Sequence, residues 1–337
     1  MSDSEFARGT RVAGETIWPN NRTRVACVGG VFVRSPLVGL AAMERYELWL
    51  RKAVLQCPRD HVFVAMIDSN GSAAKSQVLA PGESVVFGRH EQVGLQHYSQ
   101  DVSLRHVAVA VAPASTETEA LVRMWDLATG RPFLTEDGQA TEALTADGPV
   151  FATVGSVLIA VIPLASLPKE LPTGTDALWN SLPSREVISR VATGSVVQPL
   201  APPPQTNFGQ GTRVNRVRSL LPIENCDPAM AIGTLTLSTS AGSRKFFLSA
   251  EALERGVLLG RYGRCLTIEG KIEDVSRVHL LLSQVGPDIM ALDMASSVGT
   301  FDLAGHSVDS IVLGETTEML LADSLRMHWQ ARTLPRA

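Results

Sequence analysis

The apolar positions along the chain fall into two blocks of short runs, separated by a polar, proline-rich stretch. One helical pattern precedes the first block. From Pro36 to about Gln56, Leu37, Leu40, Ala41, Tyr46, Leu48, Leu50, Val54 and Leu55 mix with Glu44, Arg45, Glu47, Arg51 and Lys52, and Pro58 follows. That pattern predicts one amphipathic helix packed on what comes next. From His61 the apolar runs shorten to strand length: His61–Asp68, Ser84–Phe87, Val107–Val111, Leu121–Trp125 and Val157–Val161. Ser69-Asn70-Gly71-Ser72, after the first run, is a hairpin signal. A second series comprises Thr234–Ser238, Lys245–Leu248, Val257–Leu259, Val278–Leu282, Ile289–Leu292, Ile311–Leu313 and Ser324–His328. No helical period interrupts either series, so each predicts an all-β sandwich or barrel.

Between the blocks, Pro163, Pro168, Pro172, Pro183, Pro199 and Pro202-Pro203-Pro204 punctuate a Ser/Thr/Gly-rich stretch. This predicts a linker with a stiff, extended segment at the triple proline. The expected organisation is a disordered N-terminal segment over 1–35, a helix over 36–57, a β-sandwich over 58–165, a Pro/Ser/Thr-rich linker over 166–228 and a second β-sandwich over 229–332.

Composition narrows the function classes. The chain has 337 residues, 45% hydrophobic and 19% charged, enough apolar material for two packed cores. Thirty Lys and Arg against 34 Asp and Glu give a net charge of −4, which offers no global attraction for nucleic acid. Cys27, Cys57, Cys226 and Cys265 form no short-spaced pair of the zinc-ribbon kind, so no metal or cofactor is expected. The start is acidic and polar, and the longest apolar stretch, Phe151 to Ile162, has the length of a buried strand. These features point to a cytoplasmic chain with reduced thiols and no membrane contact, in which the sequons at Asn21 and Asn70 are chance matches. The oligomeric state stays open.

The two β blocks share a skeleton. The second carries Gly260-Arg261, Ser276-Arg277-Val278-His279, then Asp293-Met294-Ala295-Ser296-Ser297-Val298-Gly299-Thr300. The first carries Gly88-Arg89, Ser103-Leu104-Arg105-His106, then Asp126-Leu127-Ala128-Thr129-Gly130-Arg131-Pro132. Arginine and serine are 15 and 14 residues apart, and serine and histidine three apart in both, which argues for an internal duplication. These motifs resemble the forkhead-associated (FHA) domain, closely over about 230–332 and more loosely over about 61–163. The resemblance implies two β-sandwiches whose end loops bind phosphothreonine peptides. It implies a phosphate site of Arg261, Ser276 and Arg277, with Thr300 as a further phosphopeptide-binding residue and Arg89 and Ser103 as the reduced counterpart. Gly260, His279, Gly299, Gly88 and His106 would then shape the loops. The chemistry fits a dianionic phosphate, since guanidinium forks and a serine hydroxyl both donate to its oxygens. Arg264 and Lys271 lie in the same loop and would raise the local potential.

The sequence also departs from the family. Val298 stands where the family has the asparagine that bonds the peptide backbone. The first block lacks a basic residue directly after Ser103 and has a shorter last loop. Upstream of the two blocks, Phe6-Ala-Arg-Gly-Thr10-Arg-Val recurs as Phe208-Gly-Gln-Gly-Thr212-Arg-Val, which offers Thr10 and Thr212 as phospho-acceptors in accessible chain. The expectation is a non-enzymatic adaptor whose partners are a phosphothreonine-containing protein and a Ser/Thr kinase. Its rivals are an assembly protein that has lost phosphate recognition, and a hydrolase using the Ser/His pairs. Ser72-Ala-Ala-Lys75 lacks the companion motifs of SxxK enzymes.

Overall fold

A computed structural model describes residues 10–12, 15–17, 23–28, 39–68, 74–114, 121–183, 185–190, 212–217, 226–270 and 272–332. The chain is an all-β protein, with three short-to-medium α-helices among the described residues: α1 (Gly39–Gln56), α2 (Thr175–Ser181) and α3 (Ala250–Arg255).

Each β block builds two sheets, and the order of strands is the same in both. In the first block one sheet runs Ala74–Leu79, Val62–Asp68, Val157–Pro163, Val150–Val154, Phe133–Thr135 and a short edge at Ala140–Thr141. In the second it runs Gly242–Leu248, Gly233–Thr239, Leu325–Ala331, Thr316–Leu321 and Thr300–Phe301. The facing sheet runs Ser84–Gly88, Val107–Val111, Val122–Asp126 and Ala143–Ala146 in the first block, with Leu95–Gln96 at its edge. Its counterpart runs Val257–Leu259, Leu280–Val285, Asp288–Asp293 and Ser310–Val312.

The apolar runs are continuous because many strands bury both faces. Val62, Val64 and Met66 point into the first sandwich, while Phe63, Ala65 and Ile67 pack with Met43, Tyr46 and Leu50 of α1 and Leu178 of α2. The helix is amphipathic for that reason, and Leu48 and Leu55 remain exposed on its far side. Val107, Val109 and Val111 likewise fill the sandwich, and the intervening Ala108 and Ala110 face the other module. In the second block Val257, Leu259, Leu280, Leu282 and Ala291 face inward, while Leu258, Leu281, Met290 and Leu292 face outward. The outward faces meet around Trp125, Cys265, Val278 and Met294, so the two sandwiches dock through an apolar interface.

Two expectations change. Parts of the expected disordered N-terminus and linker are strands that extend the first module's sheet. After Ala143–Ala146 come Thr212–Val217, Arg185–Arg190, Thr23–Val28, Glu15–Ile17 and Thr10–Val12. Arg185–Arg190 runs parallel to both neighbours, with Val187 opposite Val25 on one side and Val214 on the other. The β-branched Thr-Arg-Val strings suit half-buried strands, and Val187 and Val214 complete the first core. Arg185 is buried, held by Glu136 at 2.8 Å and stacked near Phe151 and Trp179. The linker also contains α2. The triple proline, Phe6, Phe208 and the turn at Ser69–Ser72 lie outside the described residues, although the strands flanking that turn pair as a hairpin. The second change concerns the phospho-acceptors. Thr10 lies in a paired strand, and Thr212 is only 2% exposed inside its strand, which contradicts the expectation of accessible chain at that site.

Candidate binding face at the sandwich ends

The second module's loops are held by a few polar anchors. His279 is fully buried. Its Nδ1 accepts from the Ser276 amide at 3.1 Å, which leaves Nε2 to donate to the Gly299 carbonyl at 3.2 Å. One imidazole therefore ties the Ser-x-x-His loop to the Gly-Thr loop. Burial holds its pKa below the ordinary histidine value, in keeping with a neutral ring. Both nitrogens are engaged by backbone groups, so neither serves the Ser276 hydroxyl, and the nucleophile–base pairing of the hydrolase reading does not form. Asp293 anchors the last loop, accepting from the Ser296 amide and hydroxyl at 2.7 Å each and from the Thr300 hydroxyl at 2.6 Å.

Gly260 must be glycine because a Cβ there would lie 2.4 Å from the Arg277 carbonyl oxygen. Gly299 adopts a φ of 105°, the left-handed region that other side chains resist. This close packing carries Arg261 out of the sandwich end, with its amide donating to the Ser276 carbonyl at 3.1 Å. Arg261 and Arg277 are both exposed, and neither guanidinium has an ion-pair or hydrogen-bond partner among the described residues. Ser276 itself is 6% exposed, and its hydroxyl accepts from the Ser297 amide at 2.9 Å. Its proton is held only by the Ser297 hydroxyl, at 3.5 Å, and so is free to turn to a better acceptor. Asp274, an acid near Arg261 in sequence, instead caps the Asp323 and Ser324 amides.

Thr300 departs from the expected binding role. It is 1% exposed and its hydroxyl is spent on Asp293, so it braces the loop. Val298 is exposed at the loop tip. Arg264 contributes at the module boundary, where it donates to the Ala128 carbonyl at 3.0 Å. Lys271 lies outside the described residues.

The first module repeats the scaffold. His106 Nδ1 accepts from the Ser103 amide at 3.0 Å and Nε2 donates to the Arg131 carbonyl at 2.8 Å. Asp126 accepts from the Thr129 amide at 3.0 Å and its hydroxyl at 2.5 Å, as Asp293 does from Ser296. A Cβ on Gly88 would lie 2.2 Å from the Leu104 carbonyl oxygen, so this glycine has the role of Gly260. Arg89 is exposed, with Nε donating to the Val102 carbonyl at 3.0 Å and its terminal nitrogens free of partners among the described residues. Ser103 is half-buried, and Leu104, the residue after it, is exposed.

Arg105 has a role that sequence reasoning missed. It turns away from the site and donates to the carbonyls of Met294, at 2.7 Å, and Ala295, at 2.9 Å, in the other module. Ala295 and its counterpart Ala128 are left-handed, with φ of 52° and 56°. Each strained alanine presents its carbonyl to an arginine of the opposite module, Ala295 to Arg105 and Ala128 to Arg264. Arg123, 3% exposed, spans the same interface by donating to the Gln284 and Glu254 carbonyls. The repeated Asp-x-Ala string was the signal available in sequence, but nothing in it pointed to a module boundary.

No family model and no curated protein matches this chain. Among solved structures, the FHA-1 domain of Mycobacterium tuberculosis Rv1747 is similar at 20% identity and a TM-score of 0.25, covering 31% of this chain and 100% of that one. The FHA domain of Chlamydia trachomatis CT664 is similar at 14% identity and a TM-score of 0.25, covering 30% and 96%. A structure from a study of phosphothreonine-dependent FHA domain interactions is similar at 22% identity and a TM-score of 0.25, covering 30% and 98%. Among the described residues no helix is long and apolar enough to cross a membrane.

Proposed function

We propose that this protein is a phosphothreonine-peptide-binding adaptor, with the second module as its main site and a protein phosphorylated by a Ser/Thr kinase as its partner. The reading is carried by one observation: Arg261 and Arg277 stand exposed and unpartnered among the described residues, on loops joined by the bond from the Arg261 amide to the Ser276 carbonyl, and the 6% exposed Ser276 donates its hydroxyl only to Ser297, at 3.5 Å. Unneutralised arginines on a rigid loop frame suit a dianion with three acceptor oxygens. The frame itself needs no ligand, because His279 and Asp293 hold it from within.

A second reading draws on Val298 and on the apolar docking of the two sandwiches. A fold that already uses one sheet face as an assembly surface is suited to further assembly without phosphate. The two readings are separated by titrating the full-length chain with a phosphothreonine peptide library and unphosphorylated controls. The full chain is the appropriate sample, since an isolated second module would expose Leu258, Leu281, Met290 and Leu292. Binding that depends on phosphorylation supports the adaptor. Binding that ignores phosphorylation supports the assembly surface.

A further inference from the structure

We propose that the two candidate sites form one bipartite anion-binding face, which takes a partner segment phosphorylated at two positions. This rests on the phosphothreonine reading above and adds to it the kind of partner the face selects.

The observation is the way loops of one module hold loops of the other. Ser297 is the central link. Its amide donates to the Ser276 hydroxyl in the second module's site, and its carbonyl accepts from Gln92 Nε2, at 3.3 Å, in the loop that begins with Arg89. On the other side Arg264, three residues after Arg261, donates to the carbonyl of Ala128 in the first module's Asp126–Arg131 loop. Arg105, two residues after Ser103, holds Ala295. Each site loop is thus tied to a loop of the opposite site, and the apolar core around Trp125 and Leu281 fixes the modules behind them. The two sets of site loops are therefore in direct contact.

The exposed arginines of these interlocked loops are Arg89, Arg131, Arg264, Arg261 and Arg277. Arg131 lies 3.8 Å from Asp101, and Glu91 is a second acid on the rim. Arg89 keeps two free terminal nitrogens beside Ser103, whose hydroxyl has no partner among the described residues. The first site alone is poor in donors, but it does not have to act alone. A phosphate bound by Arg261, Ser276 and Arg277 holds a second one near Arg89 at a high effective concentration, and no flexible linker between the sites dilutes it. Following the chain from Arg89 through Gln92 and Ser297 to Ser276 gives a contour of roughly 25 Å, an upper bound on the separation that at most about eight extended residues reach.

The test is calorimetric titration of the full-length chain with synthetic peptides of one sequence. They carry phosphothreonine at the first position, at the second, at both six residues apart, or at both two residues apart. The peptide with two phosphates six residues apart should bind one to one and at least tenfold tighter than the better single phosphopeptide, and the short spacing should lose that gain. Arg89→Ala, checked for an unchanged melt, should bring the doubly phosphorylated peptide back to the affinity of a single one. A doubly phosphorylated peptide that binds two chains, or binds no tighter than a single one that does bind, overturns the bipartite face and leaves the phosphothreonine reading standing. If no phosphopeptide binds above its unphosphorylated control, both fail.

Discussion

Arg261→Ala separates a ligand-binding arginine from a structural one. The backbone of this loop does not depend on the side chain. The Gly260 amide donates to the Leu266 carbonyl at 3.3 Å, the Arg261 amide to Ser276 at 3.1 Å and the Tyr262 amide to Arg277 at 3.0 Å, and all three survive truncation. The guanidinium is exposed and has no partner among the described residues, so its loss costs folding no more than about 0.5 kcal/mol, a shift of about 1–2 °C in the melt. Binding is another matter. A charge-assisted fork to a dianionic phosphate contributes about 2–4 kcal/mol, so the Kd of a phosphothreonine peptide should rise about 30- to 700-fold. Arg261→Lys should recover only part of this, because an ammonium is a point charge without the planar fork. Fluorescence anisotropy with labelled phosphopeptide, beside a circular dichroism melt, reads both quantities. An Arg261→Ala chain that unfolds, or one that still binds phosphopeptide at wild-type affinity, refutes the assignment.

The sandwiches were legible because their runs have strand length and their motifs recur in order. Their limits were less so. The stretch called a linker is rich in proline and serine, and composition there outweighed the local pattern of Thr-Arg-Val and Arg-Glu-Val-Ile. Such short strings form strands only when a neighbouring edge supplies hydrogen bonds, here the edge of Ala143–Ala146. That pairing is non-local, and no window of sequence contains it. The docking of the modules was hidden for a related reason. An apolar run buried on both faces looks the same whether its second face meets a helix, as Phe63 does, or another sandwich, as Leu281 does.

At the site, residue types do not fix the direction in which a side chain is used. Gly88 and Gly260 lie where a Cβ would meet a carbonyl oxygen, and His106 and His279 each sit between one backbone donor and one backbone acceptor. Thr300 was expected to face a peptide and faces Asp293 instead, since a threonine hydroxyl serves either role and sequence does not say which. Nothing in the motif gave Arg105 a role. The structure places it in the interface because its position matches Val278, which is buried there too.

The remaining predictions test other parts of the same picture. Val298→Asn should restore a donor and an acceptor at the loop tip and tighten phosphopeptide binding severalfold, on the order of 1 kcal/mol by calorimetry; unchanged or weaker binding would place this loop away from the peptide. Burial pushes the Cys265 thiol up to about 12, so iodoacetamide at pH 8 should spare it in the native chain and reach it after unfolding; labelling of native Cys265 at the rate of an exposed thiol would mean that the sandwiches separate in solution. Asp126 supplies a pH test of the first module's scaffold. It is 2% exposed, and burial raises its carboxyl from 3.8 to about 6, against the opposing bonds from Thr129. A raised folded value means that the folded chain holds this proton more tightly than the unfolded chain. The stability it contributes is complete below about pH 4 and is lost as pH rises through 6, to a total on the order of 3 kcal/mol. Asp126→Asn carries no titrating proton, and its loss of one acceptor oxygen for Thr129 is the same at every pH. Urea unfolding of both chains at pH 5 and pH 7.5 should therefore show the variant gaining on the wild type as pH rises, whatever its offset. A difference that stays constant between the two pH values would mean that Asp126 is ionised throughout, with Thr129 outweighing burial.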